Sequence, residues 1–329
     1  VLIIGAGMAG LACARTLQDA GGPFLLFDRD EEVGGRVRTD EVDGYRLDRG
    51  FQVLLTAYPE ARKFLDYEDL DLKACYPGSR VWFGDRFHRV ADPFRHPIDG
   101  IKSLGNPIGS LLDKIRVGMM RTGLLSTRSM PDDLSTLDAL SKLGFGPAMI
   151  DRFWKPFMRG VFLENELSTT VRKFEETFRL FAQGDTVLPR LGIGELPKQL
   201  AGKLPQESLT LGTEITKVKA REIESVDGKR WEGRAVVLAT EMDPANRLLG
   251  IEDKPGQWNA VDCLYFSLPE DQLPTSEPIL HLDGTGEGPV NNLTFVSTLC
   301  DCAPSGRALA STSVIGRQEV GHEELAGEV

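Results

Sequence analysis

The chain has 329 residues, of which 41% are hydrophobic and 26% are charged, as in an ordinary globular protein. Its net charge of −11 argues against nucleic acid as the partner, because nucleic acids require a basic protein surface. No apolar run approaches the roughly 18 residues of a membrane span, and the length predicts about two domains.

The five cysteines do not form the dense pattern of a disulfide framework. The closest pair, Cys300 and Cys302, has no second pair or histidine nearby, so we expect no metal site. This usage favours a reducing, cytoplasmic setting, and no basic segment of a signal peptide precedes the first apolar run. The chain begins without methionine and ends in an apparent helix start, so we expect it to be truncated at both ends.

The first residues predict a dinucleotide-binding turn. Residues 1–4 are apolar and mostly β-branched, which predicts a buried strand, and a helix-forming run follows the turn as far as residues 21–22. Between them the pattern G-x-G-x-x-G is formed by Gly5, Ala6, Gly7, Met8, Ala9 and Gly10. The three glycines permit a tight turn, an approach of main-chain amides to a pyrophosphate, and close packing of helix on strand. A plain βα turn is the alternative.

A second predicted strand, residues 23–28, ends at Asp28. A carboxylate at this spacing beyond the glycines accepts hydrogen bonds from the adenosine ribose in dinucleotide-binding folds. A solvated strand end is the alternative. The neighbouring Arg29 could instead indicate a 2′-phosphate, but the acid at the strand tip opposes that interpretation by charge.

Residues 31–39 read EEVGGRVRT. Gly34 and Gly35 let the backbone fold against a ligand, and the Arg36 guanidinium can pair with phosphate oxygens. The order GAGMAGL, acid, VGGRVRT resembles the flavin-containing amine oxidase superfamily, which includes monoamine oxidases, protoporphyrinogen oxidase and phytoene desaturases. This resemblance implies FAD as the cofactor, with the glycine-rich turn and the GGR segment at its pyrophosphate.

Residues 43–53, DGYRLDRGFQV, predict a hairpin that turns at Asp-Gly. The family has a similar hairpin followed by an acid, any residue and glycine, after which the chain passes the isoalloxazine ring. The resemblance therefore places Gly50, Phe51 and Gln52 on that passage. An ordinary hairpin exit is the alternative.

Residues 58–183 predict a helical insertion that fits a substrate-covering cap. Helices are expected over 61–72, 107–125, 134–143 and 147–162, with prolines near their starts, and a hairpin is expected over 81–90. We interpret the aromatic face of the last helix as core, and the single histidines His88 and His96 as structural or surface residues.

The chain then returns to the nucleotide domain. Residues 189–194, PRLGIG, resemble the family's proline-glycine-glycine turn. A strand predicted over 210–218 carries Ile215, which the resemblance places against the FAD adenine. A further strand over 234–240 ends in Ala239 and Thr240, beside the dinucleotide. Four strand-like runs over 260–316 predict an antiparallel sheet as the floor of the substrate domain.

The predicted fold class is α/β. It combines a Rossmann-like FAD-binding domain of the glutathione reductase type (1–57 and 184–255) with an interleaved α+β substrate domain (58–183 and 256–329). The second domain is expected to combine an antiparallel sheet with the helical cap. Residues 303–329 lack the closing Gly-Asp segment of the family. The predicted strands 261–268 and 293–299 contain no lysine, which argues against amine oxidation as such.

The resemblance implies an FAD-dependent oxidoreductase that removes a hydride from a C–N or C–C bond of an organic substrate. Apolar residues in the cap favour a hydrophobic substrate, whereas no catalytic residue and no oligomeric state can be identified from the sequence. The alternatives are a redox-neutral flavin-dependent isomerase or mutase, and a non-catalytic binding protein like the GDP-dissociation inhibitors. A nicotinamide dehydrogenase would leave GGRVR without a role.

Overall fold

The structure is a computed structural model that describes residues 1–252, 258–316 and 318–329. The chain forms two compact units. The first comprises Val1–Gln52, Pro59–Leu72 and Pro189–Trp258, and the second comprises Val53–Tyr58, Lys73–Leu188 and Asn259–Val329. The domain boundaries expected from the sequence stay a prediction, and the one at 255/256 lies outside the described residues.

The elements are numbered in chain order. The strands are β1 (Leu2–Ile4), β2 (Leu25–Phe27), β3 (Thr39–Val42), β4 (Tyr45–Asp48), β5 (Leu54–Leu55), β6 (Leu72–Ala74), β7 (Gly78–Phe83), β8 (Arg86–Ala91), β9 (Thr186–Pro189), β10 (Leu209–Thr210), β11 (Ile215–Val218), β12 (Glu222–Ser225), β13 (Arg230–Glu232), β14 (Val236–Leu238), β15 (Val261–Pro269), β16 (Leu280–Asp283), β17 (Val290–Phe295) and β18 (Arg307–Ile315). The α-helices are α1 (Met8–Asp19), α2 (Pro59–Phe64), α3 (Pro97–Ser103), α4 (Leu111–Arg121), α5 (Thr136–Lys142), α6 (Pro147–Met149), α7 (Lys155–Phe162), α8 (Val171–Gln183), α9 (Glu195–Gly202), α10 (Met242–Leu249) and α11 (His322–Glu328). A π-helical turn, Ile150–Trp154, joins α6 to α7, and 3₁₀ turns occur at Gln206–Ser208, Glu270–Gln272 and Val296–Thr298.

A parallel sheet in the order β10-β2-β1-β14 organises the first unit. The apolar strand β1 lies inside this sheet, which explains why it carries no polar residue. A second sheet, β11-β12-β13, shares a core with it, and the rings of Phe27 and Trp231 meet edge to face at 4.9 Å. The carboxyl ends of β1 and β2 lead directly into the residues that the sequence assigns to the cofactor.

Two elements of the first unit differ from expectation. The single strand predicted over 210–218 is wrong, because β10 and β11 belong to different sheets. The chain bends between them at Gly212, where φ is +63° and the main-chain N–H donates to the Asp30 carbonyl at 2.9 Å. The helix predicted over 61–72 is shorter in the structure: α2 ends at Phe64, and Leu72 already belongs to β6.

A six-stranded sheet in the order β15-β18-β17-β16-β7-β8 organises the second unit. The four strands over 260–316, β15 to β18, pair antiparallel as predicted, whereas β7 joins the sheet by pairing with β16 in parallel. This parallel pairing is long-range. Strand β7 of the hairpin β7–β8 pairs with β16, which follows residue 260, so a crossover rather than a turn connects the two strands. The hairpin itself is as predicted, with Val81 opposite His88.

The helices of the second unit share an apolar core. Trp154 and Met158 are fully buried there, and Phe174 packs on the Trp154 ring at 5.6 Å. The aromatic face of residues 147–162 is therefore core, as expected, although the π-helical turn interrupts the α-helix. Among the described residues, no helix has the length and apolarity needed to cross a bilayer.

Candidate cofactor-binding site

The glycine-rich turn follows β1 and requires glycine for two measurable reasons. Gly5 has φ +106°, and a Cβ there would lie 2.8 Å from the carbonyl of Ala239. A Cβ on Gly10 would lie only 1.8 Å from the Gly5 oxygen, so α1 approaches the turn as closely as backbone allows. At Gly7 the space is open, with Gly34 oxygen the nearest atom at 3.9 Å.

The N-terminus of α1 is open to an anion. Gly7 is the N-cap residue, in extended conformation, and it has no side chain that could accept the first amides of the helix. The first turn carries no acidic residue, and Ala9 is exposed. Free amides and the positive end of the helix dipole together favour a phosphate group at this position.

Asp28 lies at the end of β2, beside the turn. Its Oδ2 accepts the Ala6 main-chain N–H at 2.5 Å, and its Oδ1 accepts the Asp30 N–H at 2.9 Å. Each carboxylate oxygen can accept a further hydrogen bond, so ribose hydroxyls remain suitable partners. The residue that the sequence assigns to the ribose thus also ties the glycine-rich turn to β2.

The two glycines of the GGR segment lie against the same turn. Gly34 donates its N–H to the Ala6 carbonyl at 2.8 Å and forms a parallel bridge with Gly7. Gly34 has φ +113°, and a Cβ there would meet Val37 oxygen at 2.4 Å. Gly35, with φ +59°, would place a Cβ 3.6 Å from the Gly7 Cα. Any side chain at residue 34 would therefore collide with the Val37 carbonyl and with Pro197 of α9.

Arg36 extends its guanidinium into solvent beside this cradle. Its side chain is 78% exposed, and Nε lies 3.1 Å from Glu241 Oε1. Gln52 holds the backbone behind it, because Nε2 donates to the carbonyls of Arg36 at 2.8 Å and Arg49 at 2.9 Å. The exposed ion pair is weak, so an incoming phosphate could replace the carboxylate on Arg36.

The other positions that the sequence assigns to the cofactor differ in their surroundings. Ala239 donates its N–H to the Ile4 carbonyl at 2.8 Å, which puts Ala239 and Thr240 beside the turn. The Ile215 side chain is only 7% exposed and belongs to the apolar core beneath the parallel sheet. Arg29 is exposed, 3.8 Å from Asp30. Further along the chain, Gly50 has φ +90° and Phe51 is half-buried.

Sequence reasoning missed the polar supports of the site. The Arg38 side chain is 17% exposed and forms ion pairs with Asp30, Glu32 and Asp40. These ion pairs hold Arg38 against the acidic residues on both sides of the GGR segment. Residues two apart in an extended chain point to the same side, so the sequence carries no signal that Arg36 is exposed and Arg38 is largely buried.

The turn formed by residues 189–194 is held by hydrogen bonds that the sequence did not predict. Asp48 Oδ1 accepts the Thr39 hydroxyl at 2.5 Å and the Ile193 N–H at 3.0 Å, and Thr39 Oγ1 accepts the Gly194 N–H at 2.8 Å. A Cβ on Gly192 would lie 2.8 Å from the same Asp48 oxygen. Burial raises the pKa of Asp48 above its usual value, while the two hydrogen bonds oppose that shift.

The comparison with known families agrees with this geometry. A family model described as flavin containing amine oxidoreductase matches residues 8–324. The chain belongs to the flavin-containing amine oxidoreductase family. FAD is therefore its cofactor, and the open helix end, Asp28 and the exposed Arg36 fit the phosphates and ribose of that group.

Curated relatives of this flavin-containing family match over limited lengths. Phytoene desaturase of Fusarium fujikuroi is 32% identical over 91 residues, which are 26% of this chain and 16% of that protein. The match thus covers far less than two thirds of the relative's length.

Solved structures resemble the chain along almost its whole length. Reduced UDP-galactopyranose mutase superimposes with a TM-score of 0.71 and 17% identity, covering 99% of this chain and 77% of that one. Putrescine oxidase bound to putrescine gives 0.68 and 16%, covering 99% and 79%. These similarities establish a mixed α/β fold of the FAD-dependent amine oxidase type.

Proposed function

We propose that the chain is the cofactor- and substrate-binding part of an oxidoreductase that removes a hydride from a C–N or C–C bond. The observation that carries the proposal is the convergence of the glycine-rich turn, Asp28 and the GGR segment in one unit. Bound FAD supplies the hydride acceptor, flavin N5. The protein's part is to hold the dinucleotide, orient the substrate and exclude water.

In this proposal different residues bind different parts of FAD. The α1 N-terminus and Arg36 hold the pyrophosphate, and Asp28 binds the ribose. Ile215 lies against the adenine, and its side chain also packs in the core of the first unit. Ala239 and Thr240 lie beside the dinucleotide, and the Gly50–Phe51–Gln52 segment leads toward the flavin. A Rossmann-like fold of the glutathione reductase type is supported by the parallel order β10-β2-β1-β14.

We propose a hydrophobic organic substrate. The names of two relatives, phytoene desaturase and carotenoid 3,4-desaturase, support an apolar polyene more than an amine. The predicted strands 261–268 and 293–299 also lack lysine, which several amine oxidases place near the flavin. The chemistry would then be removal of a hydride and a proton from adjacent carbons.

A redox-neutral reaction is the second candidate. The similarity to the structure of reduced UDP-galactopyranose mutase supports it at the level of the fold. In that case the flavin would have to be reduced before turnover, and no electron acceptor would be consumed.

Anaerobic mixing of the FAD-loaded protein with polyenes, porphyrinogens and amines separates these functions. An oxidoreductase should lose its visible flavin absorbance on addition of the correct substrate and regain it with an electron acceptor. Turnover that requires prior reduction by dithionite and consumes no acceptor would support the isomerase or mutase instead. Loaded protein that neither bleaches nor turns over any of these classes would contradict the proposed reaction while leaving FAD binding intact.

A further inference from the structure

An exposed apolar surface lies on the helices α3 and α4 of the second unit. Eight of the nineteen exposed large hydrophobic side chains in the described residues fall within residues 94–124, so they are concentrated rather than scattered. Each is between 43% and 76% exposed. This α3–α4 surface is formed by Phe94, Ile98, Ile101, Leu104, Leu111, Leu112, Ile115 and Leu124. Exposed apolar side chains concentrated in this way are typical of an interaction site.

Helix α4 shows that the outward apolar face is additional to the core face. Val117 and Met120 pack against the helical core, and Asp113 is buried on the same side. Leu111 and Ile115 project from the opposite side and are 55% and 49% exposed. An ordinary surface helix carries polar residues on that side, so folding of this unit does not account for these two side chains.

Contacts of two α4 cations join this helix to the segment that carries the other exposed apolar side chains. Lys114 Nζ donates to the Leu104 carbonyl at 2.9 Å. Seven residues further along α4, Arg121 Nε lies 3.2 Å from Asp92, and its guanidinium carbon lies 5.8 Å from the centre of the Phe94 ring. Helix α4 therefore runs beside the segment from Phe94 to Leu104, and its cations lie between the apolar groups.

The charge of this region is opposite to that of the chain. Residues 80–128 contain nine basic and four acidic side chains, a net charge of +5, whereas the whole chain carries −11. Asp92 and Asp99 are already paired with arginines, and Asp113 is buried. Among the described residues, no ion pair is formed by the exposed cations Arg86, Lys102 and Arg128.

A polar cavity of about 470 Å³ adjoins α3. Arg86 and Lys102 line it together with Ser103 and Asn106, and the carboxylates of Asp99 and Glu277, which also line it, are both paired with Arg89. Arg89 also lines it, but Glu277 neutralises this residue at 2.6 Å. Two unpaired cations beside exposed isoleucines suit an anionic headgroup whose acyl chains continue along the apolar side chains.

We propose that the α3–α4 surface docks peripherally on an anionic phospholipid bilayer. The apolar side chains enter the interface, while Arg86, Lys102 and Arg128 lie at the level of the headgroups. A second copy of the chain is disfavoured as the occupant, because two copies of this surface would bring the same exposed cations, Arg86, Lys102 and Arg128, toward each other. The proposal concerns attachment and is independent of the reaction that the flavin performs.

Co-sedimentation of the purified protein with lipid vesicles tests this inference. Binding is expected to vesicles of phosphatidylcholine and phosphatidylglycerol in equal parts, and much less to phosphatidylcholine alone. Lys102→Gln should weaken binding about fivefold, the value of one cation near a charged surface. The double variant Ile98→Ser, Ile101→Ser should weaken it roughly tenfold or more.

Matched controls come from the first unit. Val226→Ser changes an apolar side chain that is 69% exposed, and Lys203→Gln removes an exposed cation, so both should leave vesicle binding unchanged. Absence of wild-type binding to anionic vesicles would overturn the proposal, as would equal losses in variants and controls. A concentration-dependent dimer that Ile98→Ser, Ile101→Ser abolishes, without vesicle binding, would assign the surface to a second copy instead.

Discussion

Two substitutions at Asp48 should distinguish the effect of the hydrogen bonds that its carboxylate accepts from the effect of its charge. Asp48→Ala removes the acceptor of the Thr39 hydroxyl and of the Ile193 N–H, which support the turn at residues 189–194. A donor left without its partner in a partly buried site costs about 1–3 kcal/mol, and the hydroxyl can partly reorient. We therefore expect Asp48→Ala to lower the free energy of unfolding of the first unit by about 2–3 kcal/mol.

Asp48→Asn should behave differently because its amide oxygen can accept the same two hydrogen bonds. Burial raises the pKa of Asp48 in the folded state above the usual value of an aspartate, so the folded protein holds that proton more tightly than the unfolded chain. The contribution of Asp48 to the free energy of unfolding is therefore greatest at low pH, and it is lost as pH rises through the pKa of Asp48 in the folded state. The wild type should lose stability relative to Asp48→Asn across that interval, and the difference should then become constant.

Urea unfolding followed by far-UV circular dichroism at several pH values measures both effects. The comparison uses differences between variants at each pH, since two units need not unfold in one step. An Asp48→Ala variant as stable as the wild type would refute the role of this carboxylate in holding the turn. A difference between wild type and Asp48→Asn that does not vary with pH would refute the raised pKa.

Three further predictions concern other sites. Gly10→Ala should destabilise the first unit by about 3 kcal/mol or more in urea unfolding, because its Cβ would lie 1.8 Å from the Gly5 oxygen. Glu241→Gln should tighten FAD binding about two- to fivefold in a fluorescence titration, since it frees Arg36 and removes a negative charge, whereas Arg36→Gln should weaken it tenfold or so. Burial lowers the pKa of His281 to about 4, so wild-type stability should fall as pH drops from 6.5 toward 4, and His281→Phe should remove that dependence.

Each of these predictions has a control or a contradicting result. Gly118→Ala places a Cβ in open space on α4 and should leave stability unchanged or improved. If Glu241→Gln weakened FAD binding as much as Arg36→Gln, the two side chains would act together on the cofactor rather than compete. If His281→Phe kept the acid-dependent loss of stability, another group would be responsible for it.

The sequence predicts the local features of the first unit well, because short-range geometry determines them. The positive φ of Gly5 and the close approach of Gly10 to the Gly5 oxygen arise within one strand, one turn and one helix that are adjacent in the chain. The hairpin at Asp43 and Gly44 forms as predicted, with both residues at positive φ and Val42 paired with Tyr45. These features need no knowledge of distant residues.

Long-range contacts account for what the sequence does not predict. The parallel pairing of β16 with β7 joins segments about 200 residues apart, and no local pattern specifies it. The hydrogen bond from Ile193 to Asp48 spans 145 residues. The pairing of Arg36 with Glu241 likewise joins two loops about 200 residues apart, so an exposed acid after Ala239-Thr240 gave no sign of its partner.

The central claim is that FAD binds at the glycine-rich turn, and a titration with FAD tests it most directly. The apoprotein should bind FAD and keep a visible flavin spectrum after desalting. Asp28→Ala should weaken that binding at least tenfold, while Asp85→Ala, in the exposed β7–β8 turn, should leave it unchanged. A wild-type protein that retains no flavin, or equal affinities for all three proteins, would contradict the account.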